Sequence, residues 1–310
     1  MKNNNTIIFG TGPLGIWIAK LLTQRGDKVT MVNQSGKIAS SIATQNIAVK
    51  SINLCDSRQV ESVCKEAQFI YHCAMPPYTR WPKNYNLLTQ SIIKGLENIN
   101  TKLIYGDNLY MYGHRHFNNL TEDTPNDSKT RKGLIRAKAA DDFLNSGIET
   151  AIVRGSDFFG PTVKSALLGT DFFSHALQRK TINLLGNIDL QHTYTYIKDF
   201  ANAMIRVSEN NDCYNQVWHV PNSPTITTRE FIQLVEEEIN QPIKIRTAGN
   251  LMASLLALFN PYIKEAKEMM PQSTNPYIVN HQKYRNRFGD NFTPLKQAIK
   301  ETVLWYQKNN

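Results

Sequence analysis

The sequence predicts an α/β protein: a doubly wound parallel sheet with a smaller C-terminal lobe. Three observations carry this. Short apolar runs alternate with amphipathic helical stretches through the first 160 residues. Such alternation means βαβ crossovers, with strands in parallel and helices on both faces. A glycine-rich turn joins the first strand to the first helix, and beyond Gly160 the alternation gives way to short, irregular elements.

Thr6-Ile7-Ile8-Phe9 is too short for a helix and rich in β-branched residues, so it reads as a buried strand. Gly10-Thr11-Gly12-Pro13-Leu14-Gly15 follows directly. Ile16, Trp17, Ala19, Leu21 and Leu22 then carry helical periodicity to a stop at Gly26, and residues 28–32 form a second apolar strand. Strand, G-x-G-x-x-G, helix, strand is the context in which this pattern means dinucleotide binding and a Rossmann-type fold. Gly10 permits the tight turn, Gly12 lets backbone approach a pyrophosphate, and Gly15 lets helix and strand pack closely. Thr11, Pro13 and Leu14 complete the loop. The pyrophosphate rests on the free N–H groups of the helix, where the dipole favours an anion. The alternative is a glycine-rich turn with no ligand.

Residues 47–52 make a third strand that ends in Asn53-Leu54, and Asp56 caps the next helix with Gln59 in the reciprocal place. Residues 69–74 are a fourth strand, closed by Met75-Pro76-Pro77, a turn no helix crosses. A helix over 87–99, a strand at 103–105, a helix over 133–146 and a strand at 150–153 complete the first half. Strands are expected near 181–184, 193–197 and 217–219, and helices over 198–209 and 228–240, the last with a Thr227/Glu230 capping box. Thr293 and Pro294 start the final helix as N-cap and first turn, with Leu295, Ile299, Val303 and Leu304 as its expected buried stripe. The expected domains are 1–160 for the dinucleotide and 161–310 mainly for the substrate, with some segments returning to the first. Their cleft, outside the carboxyl ends of the strands, is the expected site.

Composition bounds the function. Of 310 residues, 41% are hydrophobic and 20% charged, as in an ordinary globular chain. The longest apolar run, 251–259, is far short of a membrane span, and the first strand follows the start too closely for a signal peptide. Cys55, Cys64, Cys73 and Cys213 show no metal spacing and read as reduced thiols of a cytoplasmic protein. The formal net charge of +9 is scattered, with one concentration at Lys129, Arg131, Lys132, Arg136 and Lys138. No basic stripe with interleaved aromatics suggests nucleic acid, and an anionic ligand or a solvated basic face accounts for the charge equally well. The expected partner is a small-molecule substrate; neither nucleic acid nor membrane is expected, and a homodimer is the oligomer considered.

The order of motifs resembles the extended short-chain dehydrogenase/reductase superfamily, in its NAD-dependent epimerase/dehydratase group. Asn53-Leu54 is similar to that family's adenine-reading pair, and Tyr71-His72-Cys73-Ala74 to the strand that ends beside the cofactor ribose. Met111-Tyr112-Gly113, Leu120-Thr121-Glu122-Asp123, residues 154–161 and residues 193–201 with Asp199 resemble further motifs in the family's order. The resemblance implies cofactor contacts from residues 10–15, Asn33, Gln34, Ser35, Asn53, Leu54, Cys73, Ala74 and Lys138. Asn33 stands where an NAD enzyme carries a ribose-reading acid, so NADP is the expected cofactor, with Ser35 and Lys37 as donors.

The family's chemistry uses a Tyr and a Lys four residues later, helped by a Ser or Thr. Aligned to it, Lys138 falls on the lysine, Leu134 on the tyrosine and Asn108 on the Ser/Thr, while His192 falls where nucleotide-sugar enzymes carry an Arg. The expected acid is thereby missing. Asp107, directly after the fifth strand, is either its replacement or a turn-capping carboxylate. Tyr110 and Tyr112 are the nearest phenols, with packing as the alternative for each, and Asn108 bonds oxygen but moves no proton. Asp157, Phe158 and Arg80 are the expected substrate contacts; no metal site is expected. The function implied is an NAD(P)-dependent oxidoreductase or epimerase-like enzyme on a small hydroxyl or carbonyl compound. A non-catalytic NAD(P)-binding sensor or interaction protein is the alternative, for which Leu134 argues.

Overall fold

The computed structural model describes residues 5–38, 47–249, 265 and 267–309. The apolar run 251–259 lies outside them. In chain order the strands are β1 (Asn5–Phe9), β2 (Lys28–Asn33), β3 (Ile47–Ser51), β4 (Phe69–His72), β5 (Lys102–Asp107), β6 (Glu149–Arg154) and β7 (Phe158–Phe159). There follow β8 (Ile182–Leu185), β9 (Gln191–His192), β10 (Thr195–Tyr196), β11 (Gln216–His219), β12 (Ile226–Thr227) and β13 (Ile245–Ala248). The helices used below are α1 (Pro13–Gln24), α2 (Ser57–Cys64), α3 (Trp81–Leu96), α4 (Arg131–Leu144), α5 (Thr170–Leu177), α6 (Ile197–Ser208), α7 (Thr228–Ile239) and α8 (Leu295–Asn309).

The chain divides into two compact units. The first comprises Met1–Asp107, Ile135–Arg154 and Phe200–Trp218. Its seven-stranded sheet has the order β11-β6-β5-β4-β1-β2-β3. The pairs from β3 through β6 are parallel, with Ile7 opposite both Thr30 and Ile70, and Asp107 opposite Arg154. The chain runs outward through β2 and β3 and restarts at β4 on the other side of β1. Loops leaving β1 and β4 therefore diverge, which opens a crevice between these carboxyl ends. Ile7, Phe9, Ile70, Leu103, Tyr105 and Ile152 pack against Leu88, Ile92 and Leu96 of α3 and Ala140 and Phe143 of α4. Burial of each such apolar side chain contributes about 1.5–3 kcal/mol.

The second unit comprises Asn108–Leu134, Gly155–Asp199 and His219–Asn310. Among the described residues it holds three two-stranded pairs, β7–β10 and β8–β13 parallel and β9–β12 antiparallel. Phe159, Phe172, Phe173, Tyr194 and Phe231 form its core with Ile299, Val303 and Tyr306 of α8.

Element ends differ from expectation for local reasons. Helix α3 begins at Trp81 rather than 87, because Pro82 sits in the first turn, where its missing N–H is not needed. Trp81 and Tyr85 anchor that added turn in the core, which the polar residues between them conceal in the sequence. At α2, Asp56 accepts from Arg58 N–H at 3.0 Å, but Gln59 reaches the Asn53 N–H instead of completing a reciprocal cap. The Thr227/Glu230 box of α7 is formed. Thr293 donates its N–H and hydroxyl to Asp199, at 2.8 and 2.7 Å.

Candidate functional site

Three glycines shape the turn after β1, for different reasons. Gly10 has φ +102°, and a Cβ there would lie 2.9 Å from Ala74 N. At Gly15 a Cβ would lie 2.3 Å from the Gly10 carbonyl oxygen. The protein itself therefore requires both. Gly12 is different: it is extended (φ −76°, ψ 179°) as the N-cap of α1, and a Cβ would meet nothing within 4 Å. Among the described residues, nothing in the fold demands glycine there. Pro13 fills the first turn of α1, and the N–H groups of Gly12, Leu14 and Gly15 stand at the positive end of the helix.

The turn after β2 is tied to this loop. Asn33 donates through Nδ2 to Thr11 Oγ1 at 2.8 Å and to the Lys37 carbonyl at 2.7 Å. Its Oδ1 accepts from Gly36 N–H and from Ser35. Gln34, Ser35 and Lys37 remain exposed. Asn53 is exposed and accepts from Cys55 N–H, while Leu54 is buried in the core beside Val32. Cys73 donates its N–H to the Phe9 carbonyl at 2.8 Å, and burial pushes its thiol above the usual range. The first unit thus brings residues 10–15, Asn33, Cys73 and Ala74 together at the switch point.

At β5 the structure corrects the sequence reading. Asp107 is 0% exposed in its side chain. Its Oδ1 accepts from Arg136 Nε at 2.7 Å and its Oδ2 from Arg154 Nε at 3.1 Å. Arg136 also donates to Tyr85, whose hydroxyl pairs with that of Tyr105 at 2.9 Å. The guanidinium carbon lies 5.3–5.6 Å from the ring centres of Trp81, Tyr85 and Tyr105. Burial opposes the charge of Arg136, and Asp107 and the two phenols outweigh it, so the group stays protonated. A carboxylate enclosed by two guanidiniums meets no substrate. Asp107 is a structural anchor of β5, β6 and α4, not an acid.

The register on α4 is corrected as well. Leu134 and Lys138 are 56% and 61% exposed, and Lys138 pairs with Asp142 one turn on. The inward face is Lys132, Arg136, Ala139, Ala140 and Phe143. Lys132, 0% exposed, ion-pairs with Glu265 and, at 2.9 Å, with Glu268. The cations four apart that share the buried face are thus Lys132 and Arg136. Lys138 therefore lies on the exposed face of α4, not on the face that carries Lys132 and Arg136. The signal was present: Ala139, Ala140 and Phe143 follow Arg136 at helical spacing and fix which face is buried.

In the second unit, Asn108 accepts from Tyr110 N–H at 3.1 Å in a tight turn, and both side chains are half-buried. Tyr112 is buried and bonds His219 at 2.9 Å, which gives it a packing role. Asp157 pairs with His192 at 3.0 Å; His192 is buried and stacked on Tyr194. Phe158 lies in β7 opposite Thr195. Arg80, in the first unit, is exposed on the turn before α3.

Comparison with known proteins places this geometry. Comparison of the sequence with curated proteins finds no match. Among solved structures, the chain is similar to the Bordetella bronchiseptica enzyme WbmH in complex with NAD+, at 19% identity and TM-score 0.76, covering 98% of this chain and 99% of that one. It is similar to dTDP-glucose 4,6-dehydratase from Bacillus anthracis in complex with NAD, at 18% identity and TM-score 0.81, over 99% and 97% of the two chains. The UDP-N-acetylglucosamine 4-epimerase of Methanobrevibacter ruminantium, in complex with UDP-N-acetylmuramic acid, matches at 18% identity and TM-score 0.79 over the whole of both chains. These likenesses show a shared fold. Over residues 7–220, from the first strand to just past β11, the sequence also matches the NAD-dependent epimerase/dehydratase family model. The glycine turn, the switch point and that match agree: the chain belongs to the NAD-dependent epimerase/dehydratase family.

Proposed function

We propose that the chain binds a nicotinamide dinucleotide at residues 10–15 and acts as an NAD(P)-dependent oxidoreductase or epimerase-like enzyme without a tyrosine acid. Its substrate is a small hydroxyl or carbonyl compound; the nucleotide-sugar enzymes among the similar structures support that class. The observation that carries the reading is Gly12, a helix N-cap whose missing side chain leaves open space no other residue needs. When bound, the cofactor supplies hydride transfer. The chain supplies the N–H groups of α1 for the pyrophosphate and the braced Thr11–Asn33 turns beside them. With Asp107 enclosed, Tyr110 is the expected acid that keeps exposed surface. Among the described residues Cys55, Cys64, Cys73 and Cys213 form no disulfide, which supports a cytoplasmic location.

Calorimetric titration tests the binding. Gly12→Val places a branched side chain in the open space and should weaken dinucleotide affinity about ten- to hundredfold, the worth of charged hydrogen bonds to a phosphate. Equal affinity in a folded variant would put the site elsewhere. The same titration tests NADP against NAD. Asn33 lacks the carboxylate that repels a 2′-phosphate, and Ser35 and Lys37 are exposed beside it, so NADP should bind more tightly. A clear NAD preference rejects that part.

One observation favours a second reading, a non-catalytic NAD(P)-binding protein. Both inward cations of α4 are committed to internal ion pairs, Lys132 to Glu265 and Glu268, Arg136 to Asp107. Tight cofactor binding with no turnover across aldehydes, ketones and sugar nucleotides would establish it.

A further inference from the structure

In an open α/β sheet the groups that meet ligands stand on the loops leaving the carboxyl ends of the strands, beside the switch point. In the first unit, the chain that leaves β4 starts against the glycine turn. Cys73 donates its N–H to the Phe9 carbonyl, and Ala74 N is what a Cβ at Gly10 would strike. The chain then turns at Tyr78–Arg80 into α3. That turn is braced. Pro76, Pro77 and Pro82 fix their own backbone φ angles. Arg80 donates its N–H to the Pro77 carbonyl at 2.7 Å, and Trp81 donates its indole N–H to the Pro76 carbonyl at 3.0 Å. Trp81 is buried, with the Tyr78 ring edge-on at 5.1 Å and the Arg136 guanidinium 5.6 Å from its ring centre. Arg136 in turn holds Asp107 at the end of β5, so the turn is pinned at the carboxyl edge of the sheet. On this anchored base Thr79, Arg80 and Lys83 are exposed, the two cations three residues apart and so neighbours on one face.

A dinucleotide lies across the switch point, one mononucleotide on each side. Its pyrophosphate rests on the N–H groups of α1, on the β1 side. Beyond the pyrophosphate lie a neutral ribose and a nicotinamide that is uncharged when reduced and a cation when oxidised. Neither is an anion for Arg80 to meet. We infer that Arg80, with Lys83 beside it, takes an anionic group of the second reactant, so that the substrate is a hydroxy or carbonyl compound bearing a carboxylate or a phosphate. The inference rests on the dinucleotide-binding reading above and adds the charge of the substrate. A guanidinium whose backbone is fixed loses less freedom when its fork closes on two oxygens of an anion. Such a pair contributes about ten- to a hundredfold in affinity.

The test is calorimetry on the full chain saturated with reduced dinucleotide and titrated with glucose, glucuronate and glucose 6-phosphate, which differ only at C6. One of the two anions should bind about tenfold or more tightly than glucose, glucuronate marking a carboxylate site and glucose 6-phosphate a phosphate site. Arg80→Ala, an exposed change that keeps the backbone bonds of the turn, should remove that advantage and leave dinucleotide affinity unchanged. Arg80→Lys should keep part of it, since it retains the charge without the fork. Equal binding of the three sugars, binding of none, or an advantage that survives Arg80→Ala overturns the inference. A loss of about tenfold in dinucleotide affinity in Arg80→Ala places the guanidinium on the dinucleotide, which overturns the inference and leaves the dinucleotide reading intact. A wild type that binds no dinucleotide overturns that reading and the inference together.

Discussion

Asp107→Asn should lower the unfolding free energy by about 3–5 kcal/mol, because it leaves two guanidiniums buried without their counter-charge. Asparagine still accepts hydrogen bonds but cannot neutralise Arg136 and Arg154, whose side chains are 5% and 2% exposed. Their charges have few alternatives. The rings of Trp81, Tyr85 and Tyr105 face Arg136, and Arg154 is fixed in β6 directly opposite Asp107. Urea unfolding followed by tryptophan fluorescence reads the effect, since Trp81 packs in the cluster. Dinucleotide affinity of the fraction that stays folded should be unchanged. If the variant keeps wild-type stability and loses turnover instead, Asp107 is an accessible acid and the enclosure described above is wrong.

His72 should make the protein sensitive to mild acid. The ring lies in β4, stacked 5.1 Å from Tyr105, with the edges of Phe9 and Phe143 at 6.0 and 5.6 Å. Among the described residues, neither nitrogen has a hydrogen-bond partner. Burial, reinforced by the nearby charge of Arg136, lowers its pKa from 6.5 to about 3. The folded protein thus refuses a proton that the unfolded chain accepts below about 6.5. Stability is full above that value and falls by about 1.4 kcal/mol per pH unit as the pH drops toward 3. Asp199 works in the opposite direction: burial raises its pKa to about 6, which favours the folded state as it protonates. Comparison with His72→Phe isolates the imidazole. Between pH 7 and 5 the wild type should lose about 2 kcal/mol more than the variant. Parallel stability curves for the two proteins would show that the ring finds a proton acceptor in the fold.

What the sequence disclosed and what it hid divide along a physical line. The glycine turn was legible because its meaning is local: strand, turn and helix are contiguous, and each glycine answers to a neighbour within the same crossover. The alternating sheet was legible for the same reason. Asp107 was not, since its partners lie 29 and 47 residues downstream, and pairing across that distance leaves no periodic trace. The register on α4 failed differently. A lysine at 138 matched the family's pattern, but the apolar stripe of Ala139, Ala140 and Phe143 already turned that lysine outward. Helical periodicity was the stronger guide there than motif spacing. Trp81 and Tyr85 were missed because the polar residues between them hide the apolar spacing of that added first turn, which accommodates Pro82.

The first unit closes with Phe200–Trp218, a piece of chain made long after the rest of it. Strand β11 covers the edge of β6. Ser208 bonds the Tyr71 hydroxyl at 2.7 Å, and Met204 packs over Gly106. A ribosome adds about 5–20 residues each second, so roughly 5–20 s separate the synthesis of residue 107 from that of residue 218. Throughout that interval the nascent sheet carries an open strand edge and an uncovered apolar surface, both prone to pairing with other chains. The glycine turn, made well before this segment, therefore waits on it for a finished sheet to stand on. Cellular yield of this protein depends on what shields the growing chain during that wait as much as on the stability of the completed fold.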